Sequence, residues 1–275
     1  MVSLVGPLVS VSWLAANLTL PNLVILDASL RKDSGGVVQI VGTRVFDIDG
    51  KFSDSQTAIP HMLPTAENFQ SGVRELGVNQ DSLIVVYDRV GIYSSPRARW
   101  MFQAMGHQRV AVLDGGLPAW IKAGLPVENL VHHEMPPGNF VAKPCAALVS
   151  GVELVEMALR DPRFVVIDAR SRGRFLGHEP EPRAALRSGH MPNALNLPFT
   201  SVLRNGHMRP VEELAPLFTS SAPRKMIFSC GSGVTACIVA LAAEMAGYTD
   251  LSVYDGSWSE WGLPSELPVV KESSQ

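Results

Sequence analysis

Cysteine and net charge are both scarce in this 275-residue sequence, and their scarcity narrows the classes of protein to which it can belong. The three cysteines include no Cys-x-x-Cys pair, which argues against a disulfide framework and against a structural zinc site. The formal net charge of -3 gives no electrostatic reason to expect a nucleic acid or an anionic membrane as a partner. We therefore expect a protein that works in a reducing compartment and holds no metal.

The sequence also predicts neither a targeting segment nor a membrane-spanning one. The stretch from Met1 to Leu20 has no early basic residue, and Asn17 and Pro21 interrupt its apolar character, so neither a signal peptide nor a transit peptide is predicted. No run reaches the roughly 18 consecutive apolar residues that a membrane-spanning helix needs. With 46% hydrophobic and 18% charged residues, the composition is that of a soluble globular protein, which we expect in the cytoplasm.

The two halves of the chain are related by a weak internal repeat. The segment Leu113-Asp-Gly-Gly-Leu-Pro-Ala-Trp120 matches Tyr254-Asp-Gly-Ser-Trp-Ser-Glu-Trp261, and Leu-Pro-Val follows in both. Each half also begins with a similar apolar run, at 23–27 and 164–168, and contains a central one, at 83–87 and 226–229.

Short apolar runs separated by helical stretches are typical of parallel strands covered on both faces. The fold class predicted is therefore α/β, with two tandem domains that each contain a mostly parallel sheet and helices on both faces. We predict domains at 1–135 and 150–275, joined by a linker at 136–149 where prolines and a glycine break the periodicity.

Cys230 lies between a short apolar run that ends at Ser229 and a predicted helix from Thr235 to Ala246. Gly231 and Gly233 allow a tight turn whose backbone N–H groups point inward at a helix N-terminus. Such a concavity binds anions and favours a thiolate over a thiol. We predict that Cys230 is a nucleophile.

We predict no nucleophile at the second cysteine of this region, or at the position of the first half that corresponds to Cys230. Cys237 falls one turn into the apolar helix, where a cysteine usually serves as a small buried hydrophobe. In the first half, the place that corresponds to Cys230 is near Asp88, and a carboxylate there is no thiol nucleophile. We expect Arg97 and Arg99 in the following helix to be solvated or domain-interface charges.

Five arginines occur between Arg170 and Arg187, on a loop at the carboxyl edge of a predicted parallel sheet. Ligands of open α/β sheets bind at that edge, and guanidinium groups match carboxylate oxygens bidentately. The loop is accordingly either an anion-binding site or a solvated basic loop that Glu179 and Glu181 partly neutralise. His190 lies in a proline-flanked turn, and we expect its ring to satisfy backbone groups rather than to act as a base.

The loop Cys230-Gly-Ser-Gly-Val-Thr-Ala resembles the active loop of the two-domain rhodanese superfamily, in particular of its 3-mercaptopyruvate sulfurtransferase branch. Relatives that use thiosulfate typically have basic residues directly after the cysteine, whereas this chain has Gly231 and Ser232 there. The resemblance extends over most of the chain. It implies that the first domain is an inactive copy that supplies part of the pocket wall.

The resemblance also implies roles for individual residues. Gly-Arg-Phe and Pro-Glu-Pro-Arg are similar to the segments that bind the substrate carboxylate, which assigns that role to Arg174 and Arg183. Phe-Asp-Ile-Asp and Ile-Pro-His resemble segments that assign Asp49 and His61 to a polar relay with Ser232. The active loop is expected to contact the substrate through Gly231, Gly233, Val234 and Thr235.

The function implied is transfer of sulfur from a small-molecule donor, 3-mercaptopyruvate, through a Cys230 persulfide, with release of pyruvate and without a cofactor. The acceptor expected is cyanide or a thiol, for example that of a thioredoxin-like protein. Two alternatives remain open: a thiosulfate:cyanide sulfurtransferase, and a non-enzymatic regulatory module that kept the fold. A tyrosine-type phosphatase is disfavoured, because the phosphate-binding arginine expected six residues after the cysteine is replaced by Ala236.

Overall fold

The structure is a computed structural model that describes residues 4, 6–30, 37–219 and 225–272. The chain divides into two compact units. The first consists of Met1–Gln56, Leu63–Cys145 and Leu203–Met208, and the second of Thr57–Met62, Ala146–Val202 and Arg209–Gln275. His61 therefore belongs to the second unit. The domain limits predicted at 135 and 150 stay a prediction.

The first half of the chain alternates strands with helices. Its elements are β1 Leu8–Val9, α1 Val11–Asn17, β2 Leu23–Asp27, β3 Val38–Ile40, β4 Arg44–Val45, α2 Ala66–Glu75, β5 Leu83–Tyr87, α3 Ser95–Ala104, β6 Val110–Leu113, α4 Gly116–Lys122 and β7 Val127–Asn129.

The second half repeats this alternation and adds a short hairpin. Its elements are β8 Val149–Ser150, α5 Val152–Ala158, β9 Phe164–Asp168, α6 Arg172–Leu176, β10 Leu195–Asn196, β11 Leu203–Arg204, β12 His207–Met208, α7 Val211–Phe218, β13 Lys225–Ser229, α8 Ala236–Met245, β14 Leu251–Tyr254 and α9 Ser257–Trp261, with 3₁₀ turns at Ala146–Leu148 and Phe199–Val202.

Both units contain a parallel sheet with the same strand order. The first is β1-β6-β5-β2-β4 and the second is β8-β14-β13-β9-β10. The register also repeats, because Tyr87 at the end of β5 pairs with Asp27, as Ser229 at the end of β13 pairs with Asp168. The predicted pair of α/β domains with parallel sheets is confirmed.

Helices cover both faces of each sheet. In the first unit, Leu14 of α1 and Trp120 of α4 pack on Val85 and Tyr87, while an aromatic cluster on the far side includes Phe69 and Phe102 at 5.2 Å. In the second, α5 and α9 pack on one face, and α8 contacts β13 and β14. Burial on both faces explains why the central strands are continuous apolar runs rather than alternating ones.

Of the two surroundings expected for Arg97 and Arg99, solvent is wrong. Arg97 is fully buried, with its guanidinium carbon 4.4 Å from the centre of the Trp100 ring. Arg99 is buried as well, and its Nε donates to the Val110 carbonyl at 3.2 Å. Helix α3 packs along its length, so these long side chains reach aromatic and backbone partners inside the unit. Within the described ranges, no helix is long and apolar enough to cross a membrane.

Candidate active site

Cys230 lies directly after β13, at the strand-to-helix turn that the sequence predicts. It is only 2% exposed. Its N–H donates to the Ser257 hydroxyl at 3.1 Å, and its carbonyl accepts the Trp258 N–H at 3.0 Å. The predicted helix is confirmed to within one residue at each end, since α8 runs from Ala236 to Met245 with Thr235 and Ala246 as its caps. The main chain of the cysteine is thus held from the β14–α9 side of the sheet edge.

The two glycines of the loop meet different requirements. Gly233 has φ +75°, in the left-handed region that L side chains rarely adopt. Gly231 instead lies against Arg174, because a Cβ atom at this position would be 3.2 Å from Arg174 Nη2. The loop needs one glycine for its turn and the other for close approach of a guanidinium. Val234 is buried within the same loop, and Thr235 is half-buried.

Cys237 lies in the first turn of α8 and belongs to the buried side of that helix. It is 2% exposed, and its Sγ donates to the Gly233 carbonyl at 3.2 Å. The thiol therefore supports the turn instead of lying on the Cys230 loop, as the sequence predicts for a structural cysteine.

Arg174, on α6, is oriented by a buried carboxylate. Its Nε and Nη2 donate to Glu181 at 3.2 and 2.5 Å. Glu181 also accepts Arg170 Nη1 at 2.8 Å, and Arg170 is further paired with Asp168 and stacked 4.0 Å from the Trp258 ring. Burial lowers the pKa of Arg170, but Asp168 and Glu181 outweigh it and raise that pKa above its ordinary value. The network holds the Arg174 guanidinium beside Gly231.

Arg183 approaches the same glycine through a serine. Its Nη1 donates to Ser259 Oγ at 3.1 Å, and Ser259 Oγ donates to the Gly231 carbonyl at 2.7 Å. Arg187, by contrast, donates to the carbonyls of Trp261 and Leu267. Of the five arginines, the two to which the resemblance assigns a carboxylate are thus the two that the structure brings to Gly231.

His61 and Ser232 are brought together within the second unit. His61 Nδ1 and Ser232 Oγ are 2.8 Å apart, although the residues are far apart in the chain. His61 has φ +64°, a left-handed conformation that is uncommon for a residue with a side chain and recurs at functional sites. Asp49, the third predicted member of the relay, lies in the first unit, where its N–H donates to Asp47 Oδ1 at 3.1 Å.

Comparison with known proteins identifies the family. The model of the rhodanese-like domain matches residues 10–123 and 152–263. The chain belongs to the rhodanese family. It is 39% identical over 273 residues to the 3-mercaptopyruvate sulfurtransferase of Escherichia coli K12, covering 95% of this chain and 96% of that protein. It is also 39% identical over 305 residues to the thiosulfate/3-mercaptopyruvate sulfurtransferase 1, mitochondrial, of Arabidopsis thaliana, covering 99% of this chain and 80% of that one.

A solved structure supports the same assignment. The crystal structure of SseA from Escherichia coli, a 3-mercaptopyruvate sulfotransferase with a rhodanese fold, superposes with a TM-score of 0.82 at 36% identity. The match covers 92% of this chain and 99% of that one. Similarity of this extent shows that this rhodanese-family protein is an enzyme of the sulfurtransferase class.

The first rhodanese domain has a carboxylate where the second has a thiol. Asp88 follows β5 as Cys230 follows β13, and its carbonyl accepts the Leu117 N–H at 3.0 Å as that of Cys230 accepts the Trp258 N–H. The Asp88 carboxylate accepts the N–H groups of the loop that follows, from Val90, Tyr93, Ser94 and Ser95 at 2.8–3.1 Å, and the Ser95 hydroxyl at 2.7 Å. The turn of this rhodanese domain therefore directs its N–H groups at the carboxyl group of its own Asp88.

His190 supports the rhodanese fold rather than its chemistry. Its Nδ1 lies 2.8 Å from the Phe175 carbonyl, and its ring stacks on Phe175 with centroids 3.9 Å apart. The prediction that this ring satisfies a backbone group is confirmed.

Sequence reasoning missed three residues that hold the site together: Glu181, Ser257 and Ser259. The sequence indicates Glu181 only as a partial neutraliser of a basic loop, because no local pattern shows which arginines it pairs with. The two serines could have been found by comparing the two copies of the repeat, because the first copy has Gly116 and Pro118 in their places.

Proposed function

We propose that this sulfurtransferase uses 3-mercaptopyruvate as its donor and carries the sulfur as a persulfide on Cys230. The observation that supports this most directly is the convergence of Arg174 and Arg183 on Gly231, next to Cys230. A donor with a carboxylate a few bonds from its sulfur fits a nucleophile with guanidinium groups beside it.

The chemistry proceeds in two transfers. The Cys230 thiolate attacks the sulfur of 3-mercaptopyruvate, a sulfur–sulfur bond forms, and the carbon–sulfur bond breaks with its electron pair moving to the carbon. The resulting enolate takes up one proton and leaves as pyruvate. An acceptor thiolate or cyanide then attacks the outer sulfur of the persulfide, and the Cys230 thiolate is regenerated.

The Ser232–His61 pair is suited to supply the proton. As an imidazolium, His61 donates its Nδ1–H to Ser232 Oγ while the hydroxyl donates to the enolate. When the hydroxyl gives its proton to the enolate carbon, the Nδ1 proton replaces it and His61 is left neutral. We propose Asp49 as the carboxylate of this relay. The N–H groups of Gly231, Gly233, Val234 and Thr235 would stabilise the persulfide, as the loop of the first domain surrounds the Asp88 carboxylate.

Thiosulfate is the second candidate donor, because the Arabidopsis thaliana relative is named for both substrates. The neutral residues Gly231 and Ser232 after the cysteine favour mercaptopyruvate, since thiosulfate and its sulfite leaving group carry concentrated negative charge. We propose cyanide or a small or protein thiol, such as that of a thioredoxin-like protein, as the acceptor. The cytoplasmic location expected from the sequence stays a proposal, because that same relative is named mitochondrial.

The test is a pair of cysteine variants assayed with mercaptopyruvate and thiosulfate. We expect Cys230→Ser to abolish turnover with both donors, and Cys237→Ser to keep most of it. Incubation of the native enzyme with mercaptopyruvate should add the mass of one sulfur atom to the peptide that contains Cys230. Equal loss from both variants, or sulfur on another cysteine, would overturn the assignment, and faster turnover with thiosulfate would overturn the choice of donor.

A further inference from the structure

The segment Ser257–Ser259, at the start of α9, forms hydrogen bonds with the main chain of the active loop at Cys230 and Gly231. Ser257 Oγ accepts the Cys230 N–H and donates to the Tyr254 carbonyl at 2.8 Å. The Trp258 N–H donates to the Cys230 carbonyl at 3.0 Å. The Gly231 carbonyl accepts both the N–H and the hydroxyl of Ser259, at 2.8 and 2.7 Å. The backbone on both sides of the Cys230–Gly231 peptide is thereby fixed.

The first domain provides an internal comparison for these hydrogen bonds. The repeat places Gly116, Leu117 and Pro118 opposite Ser257, Trp258 and Ser259, and the backbone is similar, since φ is +54° at Gly116 and +49° at Ser257. Leu117 keeps the main-chain bond to the Asp88 carbonyl. Gly116 has no hydroxyl, and Pro118 has neither a hydroxyl nor an N–H. The inactive copy therefore lacks the groups that make the other bonds.

The left-handed backbone at Ser257 adds weight to this comparison. A residue with a side chain is less stable than glycine in this conformation. The first domain uses glycine at the corresponding position, whereas the active copy keeps a strained serine whose hydroxyl binds the nucleophile's own N–H. The serines accordingly belong to what distinguishes the active copy.

The hydroxyl of Ser259 has a fixed direction, and that direction links two parts of the site. Its hydrogen is given to the Gly231 carbonyl, so its lone pairs remain to accept a hydrogen bond, and Arg183 Nη1 supplies one at 3.1 Å. Ser259 is 4% exposed, so water is a poor substitute for either partner. The position of the guanidinium is thereby tied to the loop that carries Cys230.

We propose that Ser259 is a positioning residue that aligns Arg183 with the active loop and so sets the distance between the donor's carboxylate and Cys230. This inference rests on the proposed function, because it takes Arg183 to bind the carboxylate. Removal of the hydroxyl should leave the main-chain bonds of the loop intact and free the guanidinium to move. The consequence should be weaker use of a carboxylate-bearing donor by a nucleophile of unchanged reactivity.

The experiment combines Ser259→Ala, Arg183→Gln and the double variant, with Ser265→Ala as the matched control. Ser265 also accepts a hydrogen bond from an arginine, Arg187, but on the exposed surface of the same unit. The readouts are kcat and KM for mercaptopyruvate, and the rate at which neutral iodoacetamide alkylates Cys230, followed by peptide mass spectrometry. Iodoacetamide carries no carboxylate, so its rate reports the loop alone.

We expect Ser259→Ala to lower kcat/KM for mercaptopyruvate about tenfold, mainly through KM, which corresponds to about 1.4 kcal/mol. Alkylation of Cys230 should stay within about twofold of the native rate, and Ser265→Ala should change neither readout. In the Arg183→Gln background the effect of Ser259→Ala should disappear, because two residues that act through one contact are not additive.

Three outcomes would overturn the inference in distinguishable ways. If the effects of Ser259→Ala and Arg183→Gln add, Ser259 does not act through Arg183, while the role of Arg183 stands. If alkylation falls as far as turnover, Ser259 merely supports the loop. If Arg183→Gln leaves kcat/KM unchanged, the proposed carboxylate site itself is wrong, and the inference fails with it.

Discussion

At the scale of single residues, the site depends on charged groups whose positions are set by buried partners. Arg174 is held by Glu181, and Glu181 is shared with the fully buried Arg170. A guanidinium fixed in this way loses little conformational freedom when it binds a carboxylate. Motif resemblance predicts which two arginines bind an anion, and it does not predict the Glu181 carboxylate that orients one of them.

Replacement of Arg174 tests the carboxylate site independently of Arg183. We expect Arg174→Gln to lower kcat/KM for mercaptopyruvate by about 1.5–3 kcal/mol of transition-state stabilisation, the scale of a hydrogen bond to a charged group. Arg172, exposed on the same helix, is the control, and Arg172→Gln should leave the rate constant near its native value. Equal effects of the two substitutions would indicate a general electrostatic influence of the basic loop and not a specific contact.

The His61–Ser232 contact predicts a shared role in proton transfer. Ser232→Ala and His61→Gln should each lower kcat with mercaptopyruvate by about 100-fold, the usual scale of general acid–base catalysis, and the double variant should be little worse than either. His178→Gln, at an exposed histidine of the same unit, should keep the native kcat. Fully additive losses would show that the two side chains act separately.

At the scale of elements, the strand β13 and the helix α8 followed from the sequence almost to the residue, because a buried parallel strand and an apolar helix have strong patterns. The segment around His61 did not. Its assignment to the second unit depends on contacts between residues far apart in the chain. Its left-handed backbone occurs at a histidine, whereas glycine is the residue from which such a conformation is usually predicted. Local propensity contains no information of either kind.

The active loop also carries a prediction about donor choice. Position 231 is unsuited to a test, since any side chain there would meet Arg174 Nη2. We expect Ser232→Lys to shift the ratio of kcat/KM values toward thiosulfate by at least about tenfold, or 1.4 kcal/mol, because fixed positive charge favours the dianion while loss of the hydroxyl impairs mercaptopyruvate use.

Ser232→Met separates the two causes of that shift. It removes the same hydroxyl with a side chain of similar length but no charge, so its ratio should move less than that of Ser232→Lys. The measurement is steady-state kinetics with both donors on all three proteins. Identical ratios for the two variants would show that loop charge does not select the donor.

At the scale of the whole molecule, two copies of one fold differ at the turn that follows the central strand, where one has Asp88 and the other Cys230. The repeat in the sequence was sufficient to predict two α/β domains and to find Asp88 opposite Cys230. It could not show that the Asp88 carboxylate is surrounded by loop N–H groups, because that arrangement depends on backbone directions. In one copy the loop N–H groups bind the carboxylate of their own turn, and in the other we propose that they stabilise sulfur on Cys230.

The stability of the first unit should depend on pH through His107. This side chain is buried, its Nε2 lies 3.1 Å from the Ser82 carbonyl, and its ring packs 6.0 Å from that of Phe102. Burial lowers the pKa of His107 below its ordinary value of 6.5. The folded state therefore binds a proton less readily than the unfolded chain, where the imidazole is solvated.

Linkage then fixes the sign of the effect. The contribution of His107 is fully present above pH 6.5, and it is lost as the pH falls below that value, because the unfolded state takes up a proton that the folded state resists. We expect the free energy of unfolding by urea to decrease between pH 7 and pH 5.5, with a slope from this group of at most about 1.4 kcal/mol per pH unit. His107→Gln, which can still donate to the Ser82 carbonyl, should flatten the dependence, whereas His132→Gln, at an exposed histidine of the same unit, should not. An unchanged slope in His107→Gln would mean that burial does not perturb this imidazole and that the pH dependence arises elsewhere in the chain.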